Sequence, residues 1–456
     1  MSLKYNKIHA NDLMTKAEID GSYLYSKEFM KFLGECKTER ECADFFKSML
    51  EKDGFVDIEK ATSLKAGDKV YFMNKEKSLY AAVIGAEDIR NGMLMIGAHI
   101  DSPRLDLKPN PLMEDFKIAL LKTQYYGGIK KYQWLSIPLA MHGVVYNKAG
   151  EKIVIKAGED DDYCFCIADL LPHLAREQMQ KKASEFIEAE KMNVICGTLP
   201  SLESKEDSIK YGVLKILNEK YGMTEIDFAR AEIEIVPAFK PKYIGFDRSL
   251  IGGYGQDDRI CAYATMKALS TSNKNGRTKV ALIVDKEEIG SVGTTSMQSQ
   301  TFDMFVKGMI EKTGSKACIE RVYFNSKMLS ADVASAADIS AADVVDLQNA
   351  NLLGYGIALE KYSGSGGKYD ASDASAKYMS DVMQVFDNEK VAFQVGTLGK
   401  VDKGGGGTIA YILANKGVDV VDCGTAIVSM HSPWEISSVA DNYMTYKAYK
   451  AFYEKM

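Results

Sequence analysis

Two adjacent carboxylates, Glu287 and Glu288, follow the apolar run Val280-Ala-Leu-Ile-Val284 and precede a turn glycine, Gly290. The run is short and β-branched, which reads as a buried strand. Two acids at the mouth of such a strand cost free energy unless a positive charge lies between them. On extended backbone, neighbouring side chains point to opposite sides. One glutamate can then hold a cation while the other handles a water. A metal-dependent hydrolase divides its work in this way, between a ligand and a general base. A solvated pair at a strand end is the plainer explanation.

Four further motifs offer matching chemistry. His99 and Asp101 form His-x-Asp at the end of the apolar run that begins at Met93. A metal-ligating histidine usually passes its second ring N–H to a carboxylate, which fixes the tautomer. Asp257 and Asp258 precede a helix, where they could bridge metal ions or simply cap and charge its first turn. Asp332 lies in an acid-rich stretch with Asp338, Asp343 and Asp346. His431 follows the apolar residues 418–421 and a glycine, and Met430 and Trp434 could equally make it a packed core histidine. Together these supply imidazole and carboxylate donors suited to Zn²⁺, Co²⁺ or Mn²⁺. Five ligands suffice for two ions that share one carboxylate.

The elements that must position these residues alternate between strand and helix. Residues 26–36 and 37–52 carry apolar side chains at helical spacing. Apolar strands are expected at 80–84, 93–96, 279–284, 391–395 and 418–422, with 321–324 also strand-like. Helices are expected at 255–270, 302–312, 371–386, 408–416 and 442–455. This alternation implies an α/β layer architecture, whose active sites lie at the carboxyl ends of the strands. The character changes between 106 and 237. There, turn-rich segments surround a half-exposed strand at 143–157, helix-like stretches at 168–182 and 208–221, and a closing strand at 231–237. The chain is therefore expected to form one domain from 1–105 and 238–456, with an inserted α+β domain at 106–237.

A chain of 456 residues is too long for one ordinary core. Its net charge of −6 argues against a nucleic-acid footprint, which needs a basic face. No apolar segment is long enough to span a membrane, and the amino terminus lacks a secretory core. The eight cysteines are scattered without a CxxC pair, as in a reduced cytoplasmic protein.

The chain resembles the M18 metallo-aminopeptidase family, which holds aspartyl aminopeptidase and vacuolar aminopeptidase I. The motifs that carry the resemblance are Gly97-Ala-His-Ile-Asp-Ser-Pro-Arg104, Gly255-Gln-Asp-Asp-Arg259, Asp285-Lys-Glu-Glu-Ile-Gly-Ser291, Ser330-Ala-Asp332 and Met430-His-Ser432. The resemblance implies a three-layer α/β metallopeptidase domain with a mixed central sheet and an inserted, β-rich dimerisation domain. It implies two metal ions per subunit, held by His99, Asp257, Glu288, Asp332 and His431, with Asp257 as the bridge. Glu287 would be the general base and Asp101 the support of His99. His173, in Leu171-Pro-His-Leu-Ala175, would reach a neighbouring subunit's site. Gly406 lies in a glycine-rich substrate loop. Lys368 is the only obvious cation where aspartyl members carry a basic stretch, so neutral N-terminal residues are expected at least as readily as acidic ones. The implied function is removal of N-terminal residues from peptides by a homo-oligomer, in the family a tetrahedral dodecamer. A related dinuclear amidohydrolase, or a non-catalytic assembly protein on the same scaffold, is the alternative.

Overall fold

A computed structural model describes residues 3–159, 162–273 and 276–456, which form two compact units. The first comprises the described residues up to Asp101 together with Pro241–Met430 and Trp434–Met456. The second comprises Ser102–Lys240 with His431–Pro433.

The first unit is built on a mixed sheet. Its main path runs through Lys69–Asn74, Ser78–Val83, Thr278–Val284, Met93–His99, Lys327–Ser330 and Asp419–Val428, and then through Glu435–Ser438, Leu250–Gly253 and Lys242–Ile244. Four central strands are mutually parallel: Thr278–Val284, Met93–His99, Lys327–Ser330 and Asp419–Val428. Strands covered on both faces need no polar alternation, which is why their sequences are continuous apolar runs. Successive residues nevertheless enter different cores. Leu94, Ile96 and Ala98 join one apolar cluster, while Met93 and Met95 join the other.

One face is covered by helices Lys16–Glu35, Glu39–Lys52, Gln256–Thr271 and Val439–Lys455, where Phe32 stacks on Tyr263 with ring centroids 5.3 Å apart. The opposite face is covered by Thr301–Thr313, Ile319–Phe324 and Ala410–Ala414. The result is three layers. Both Lys16–Glu35 and Glu39–Lys52 start with a complete capping box, Thr15 with Glu18 and Thr38 with Glu41, so their first N–H groups are satisfied locally. Phe46, in the second of these helices, is fully buried, and its truncation to Ala should cost about 3–5 kcal/mol.

The second unit is a six-stranded sheet in the order Lys152–Ala157, Leu139–Tyr146, Ala231–Pro237, Arg104–Asp115, Ile118–Tyr126 and Val194–Gly197, with helix Ser208–Tyr221 against it.

Three local expectations are corrected. Residues 143–157 form a hairpin rather than one strand, turning at Asn147–Gly150. Residues 168–182 form only single turns at Pro172–Leu174 and Gln178–Gln180; Leu171, Leu174 and Met179 stay exposed, so no apolar face is buried to hold a helix. The segment around 321–324 is the helix Ile319–Phe324, and the neighbouring strand is Lys327–Ser330. Among the described residues, no helix is long and apolar enough to cross a membrane.

Candidate metal centre

The four parallel strands end on one edge of the sheet; His99, Asp101, Glu287, Glu288 and Asp332 lie at or just beyond three of those ends, while Asp257 lies in the first turn of the helix Gln256–Thr271. His99 is the last residue of its strand and is paired with Val284, so Asp285, Glu287 and Glu288 leave the neighbouring strand beside it. Asp332 follows two residues after Ser330, the end of the strand on the other side. Gly424 makes its placement possible: a Cβ there would lie 1.7 Å from the Asp332 carbonyl oxygen.

Glu287 and Glu288 do not sit on extended backbone. Lys286 adopts a left-handed φ of 68° and starts a single 3-10 turn, Glu287–Ile289, closed by Gly290. At three residues per turn, adjacent side chains still diverge by roughly 120°. The separation expected from a strand is therefore retained by a different local structure. Asp285 pins the turn from below, accepting the Thr295 hydroxyl at 2.5 Å.

His99 organises the centre. Its Nδ1 lies 3.0 Å from the Asp101 carbonyl oxygen and 3.3 Å from the Asp101 carboxylate. Its Nε2 faces Asp257 at 3.3 Å, Asp332 at 3.7 Å and Glu287 at 4.0 Å. Two three-donor groups share this imidazole, His99 with Glu287 and Asp332, and His99 with Asp257 and Glu288, each with its donor atoms within 4.8 Å of one another. The Asp101 carboxylate also accepts the backbone N–H groups of Glu287, at 3.1 Å, and Glu288, at 3.2 Å.

The electrostatics follow from crowding like charges away from water. Burial raises the Asp332 carboxyl, and Asp257 raises it further. The Glu287 carboxyl is pushed up to about 8 by burial and by Asp332, Asp101 and Asp257, against the pull of His99. Burial alone would hold the His99 imidazole down, but hydrogen bonds to Asp101, Asp257 and Asp332 push it well above the ordinary histidine range. Four carboxylates around one imidazole call for cations between them, and imidazole with carboxylate oxygens is a donor set for Zn²⁺, Co²⁺ or Mn²⁺.

Not every expected residue joins these groups. His431 belongs to the second unit, where its Nδ1 lies 3.0 Å from the Gly128 carbonyl oxygen. His173 also lies in the second unit, exposed in its single turn. Lys368 pairs with Asp373 at 3.0 Å, lies 4.1 Å from the centre of the Tyr362 ring, and lines a cavity of about 170 Å³. Gly406 pairs with Gly364 in a two-stranded ribbon that starts at this cavity's wall.

Glu435 and Asp422 escape a reading of the sequence, and Asp258 takes a part other than the two expected of it. Glu435 is 1% exposed and accepts the Asp257 N–H at 3.1 Å. Asp258, joined to Asp257 by a cis peptide, accepts the His99 N–H at 3.4 Å instead of capping a helix. Asp422, opposite Glu360 in register, accepts the Thr408 hydroxyl at 2.5 Å and the Ser363 hydroxyl at 3.3 Å. Asp422 also ends an apolar run, the same signal that marks His99.

A three-layer α/β unit that gathers an imidazole and four carboxylates at the carboxyl ends of parallel strands defines a metal-dependent hydrolase. The family model of the aminopeptidase I zinc metalloproteases (M18) matches residues 32–453, and the chain belongs to that family. It is therefore a metallo-aminopeptidase, a hydrolase of peptide bonds. A relative from Clostridium acetobutylicum, a probable M18 family aminopeptidase 1, is 48% identical over 432 residues, covering 93% of each chain. The crystal structure of an M18 aminopeptidase from Thermotoga maritima superposes with a TM-score of 0.96 at 45% identity, over 99% of this chain and 100% of that one. A structure of the S. cerevisiae mApe1 dodecamer shares the fold, with a TM-score of 0.78 at 18% identity, over 96% of this chain and 97% of that one.

Proposed function

We propose that this enzyme removes N-terminal residues from peptides using two divalent ions, zinc by the family's description, with cobalt or manganese as substitutes. The observation that carries this reading is the pair of three-donor groups sharing His99. In this reading His99, Asp257, Glu288 and Asp332 would hold the ions, with Asp257 shared between them, and His431 would be the further ligand that the family resemblance implies. Bound there, the ions would supply Lewis-acid polarisation of a water and of the scissile carbonyl.

The chain's own residues do the rest. Asp101 fixes the His99 ring through Nδ1 and holds the Glu287–Glu288 turn by its backbone. Glu287 takes the proton from the attacking water and gives it to the leaving amine. A raised carboxyl that cations draw back down is suited to both halves of that task. Lys368 and Gly406 belong to the substrate side. We assign the second unit to dimerisation, His173 to the site of a neighbouring subunit in a dodecamer like the yeast one, and the protein to the cytoplasm. Peptides with free and acetylated N-termini test the reading. Cleavage of the free peptide alone supports it, and equal cleavage of both points instead to a dinuclear amidohydrolase.

A further inference from the structure

Arg259 is among the largest fully buried side chains of the protein, 1% exposed. A guanidinium removed from water needs acceptors for its fixed fork of donors. It finds them in two segments far apart in sequence. Nη1 donates to the Cys36 carbonyl at 3.3 Å and Nη2 to the Lys37 carbonyl at 2.9 Å. Nε donates to the Ile100 carbonyl at 3.3 Å. Ile100 separates His99 from Asp101, and its own N–H is held by the Val284 carbonyl at 3.0 Å.

The anchor at the other end is firm. The Lys37 and Thr38 N–H groups are both bound by Glu41, at 2.7 and 3.2 Å, and Glu41 N–H is returned to the Thr38 hydroxyl. Arg259 therefore joins a doubly capped helix start to the one residue between the imidazole and its orienting carboxylate.

We propose that Arg259 is a positioning residue that sets the metal affinity of the centre by fixing the peptide between His99 and Asp101. The inference rests on the metal-site reading above.

R259K keeps the charge but not the planar fork. Zinc affinity, measured on the full-length protein by competition with a chelator, should fall about 10–100-fold, the range seen when a ligand's support is removed. At saturating zinc, kcat should fall while KM holds. T38A loosens the same helix start without touching the guanidinium, and it should lower zinc affinity less than R259K does. R259Q carries the same expectation if R259K does not fold. Wild-type affinity in R259K, or an equal loss in T38A, overturns the proposal. So does failure of both Arg259 variants to fold while T38A folds, because the residue is then a folding element. Absence of zinc binding in the wild-type protein is a different result, and it would sink the metal-site reading itself.

Discussion

Asp101 holds Glu287 by its backbone: one carboxylate oxygen accepts the Glu287 N–H at 3.1 Å while the other accepts that of Glu288 at 3.2 Å. The same carboxylate lies 3.3 Å from His99 Nδ1. One side chain thus sets the orientation of an imidazole and of two glutamates separated from it by more than 180 residues. D101N would place an amide nitrogen against an N–H and lose an acceptor. Zinc affinity should fall about 10–100-fold, as read by chelator competition. An unchanged affinity would remove Asp101 from its orienting role.

The two glutamates separate by variant. E287Q should keep its zinc, counted by mass spectrometry, yet lose roughly 10²–10⁴ in kcat with the general base gone. E288Q should lose zinc first, with activity partly restored at high metal concentration. If E287Q retains near-normal turnover, the proton passes through another group.

His173 is exposed in its single turn. H173A should leave zinc content and thermal unfolding unchanged. Turnover should fall on the order of 10²-fold if the residue donates a hydrogen bond to the developing oxyanion in a neighbouring subunit. Full activity would confine this histidine to the surface.

Glu360 and Asp422 face each other across two strands; burial, with Asp422 and Asp332 nearby, lifts the Glu360 carboxyl to about 7, and burial, with Asp332 nearby, lifts that of Asp422 to about 6. A carboxyl raised on folding contributes stability that is complete below its unfolded value. That stability is lost as pH climbs through the folded value. Metal-free protein should therefore unfold at lower temperature at pH 8 than at pH 5. E360Q keeps an oxygen for the Asn351 amide, which donates at 2.9 Å. It should recover up to ~3 kcal/mol of the difference at pH 8. Parallel melting curves for wild type and E360Q across this range would count against the shift.

Residues at the ends of apolar runs are legible in the sequence. His99, Glu287 and Glu288 announce themselves because buried parallel strands are continuous in hydrophobicity and stop abruptly. Glu435 and the part played by Asp258 are not legible, because each accepts a backbone N–H from a distant segment. Helical spacing at 168–182 misleads because Leu170, Leu171, Leu174 and Met179 stay exposed, so burial does not hold a helix there. Residues 321–324 are too few for periodicity to separate helix from strand.

The strand Met93–His99 has another consequence, concerning when the protein can fold. Both of its sheet neighbours, Thr278–Val284 and Lys327–Ser330, come later in the chain. At about 5–20 residues per second of synthesis, the second neighbour emerges roughly 10–50 s after His99. For that interval the most central strand of the enzyme is an apolar segment without a template. Nascent chains stalled before residue 330 should consequently be the aggregation-prone species, and the ones a chaperone must shelter.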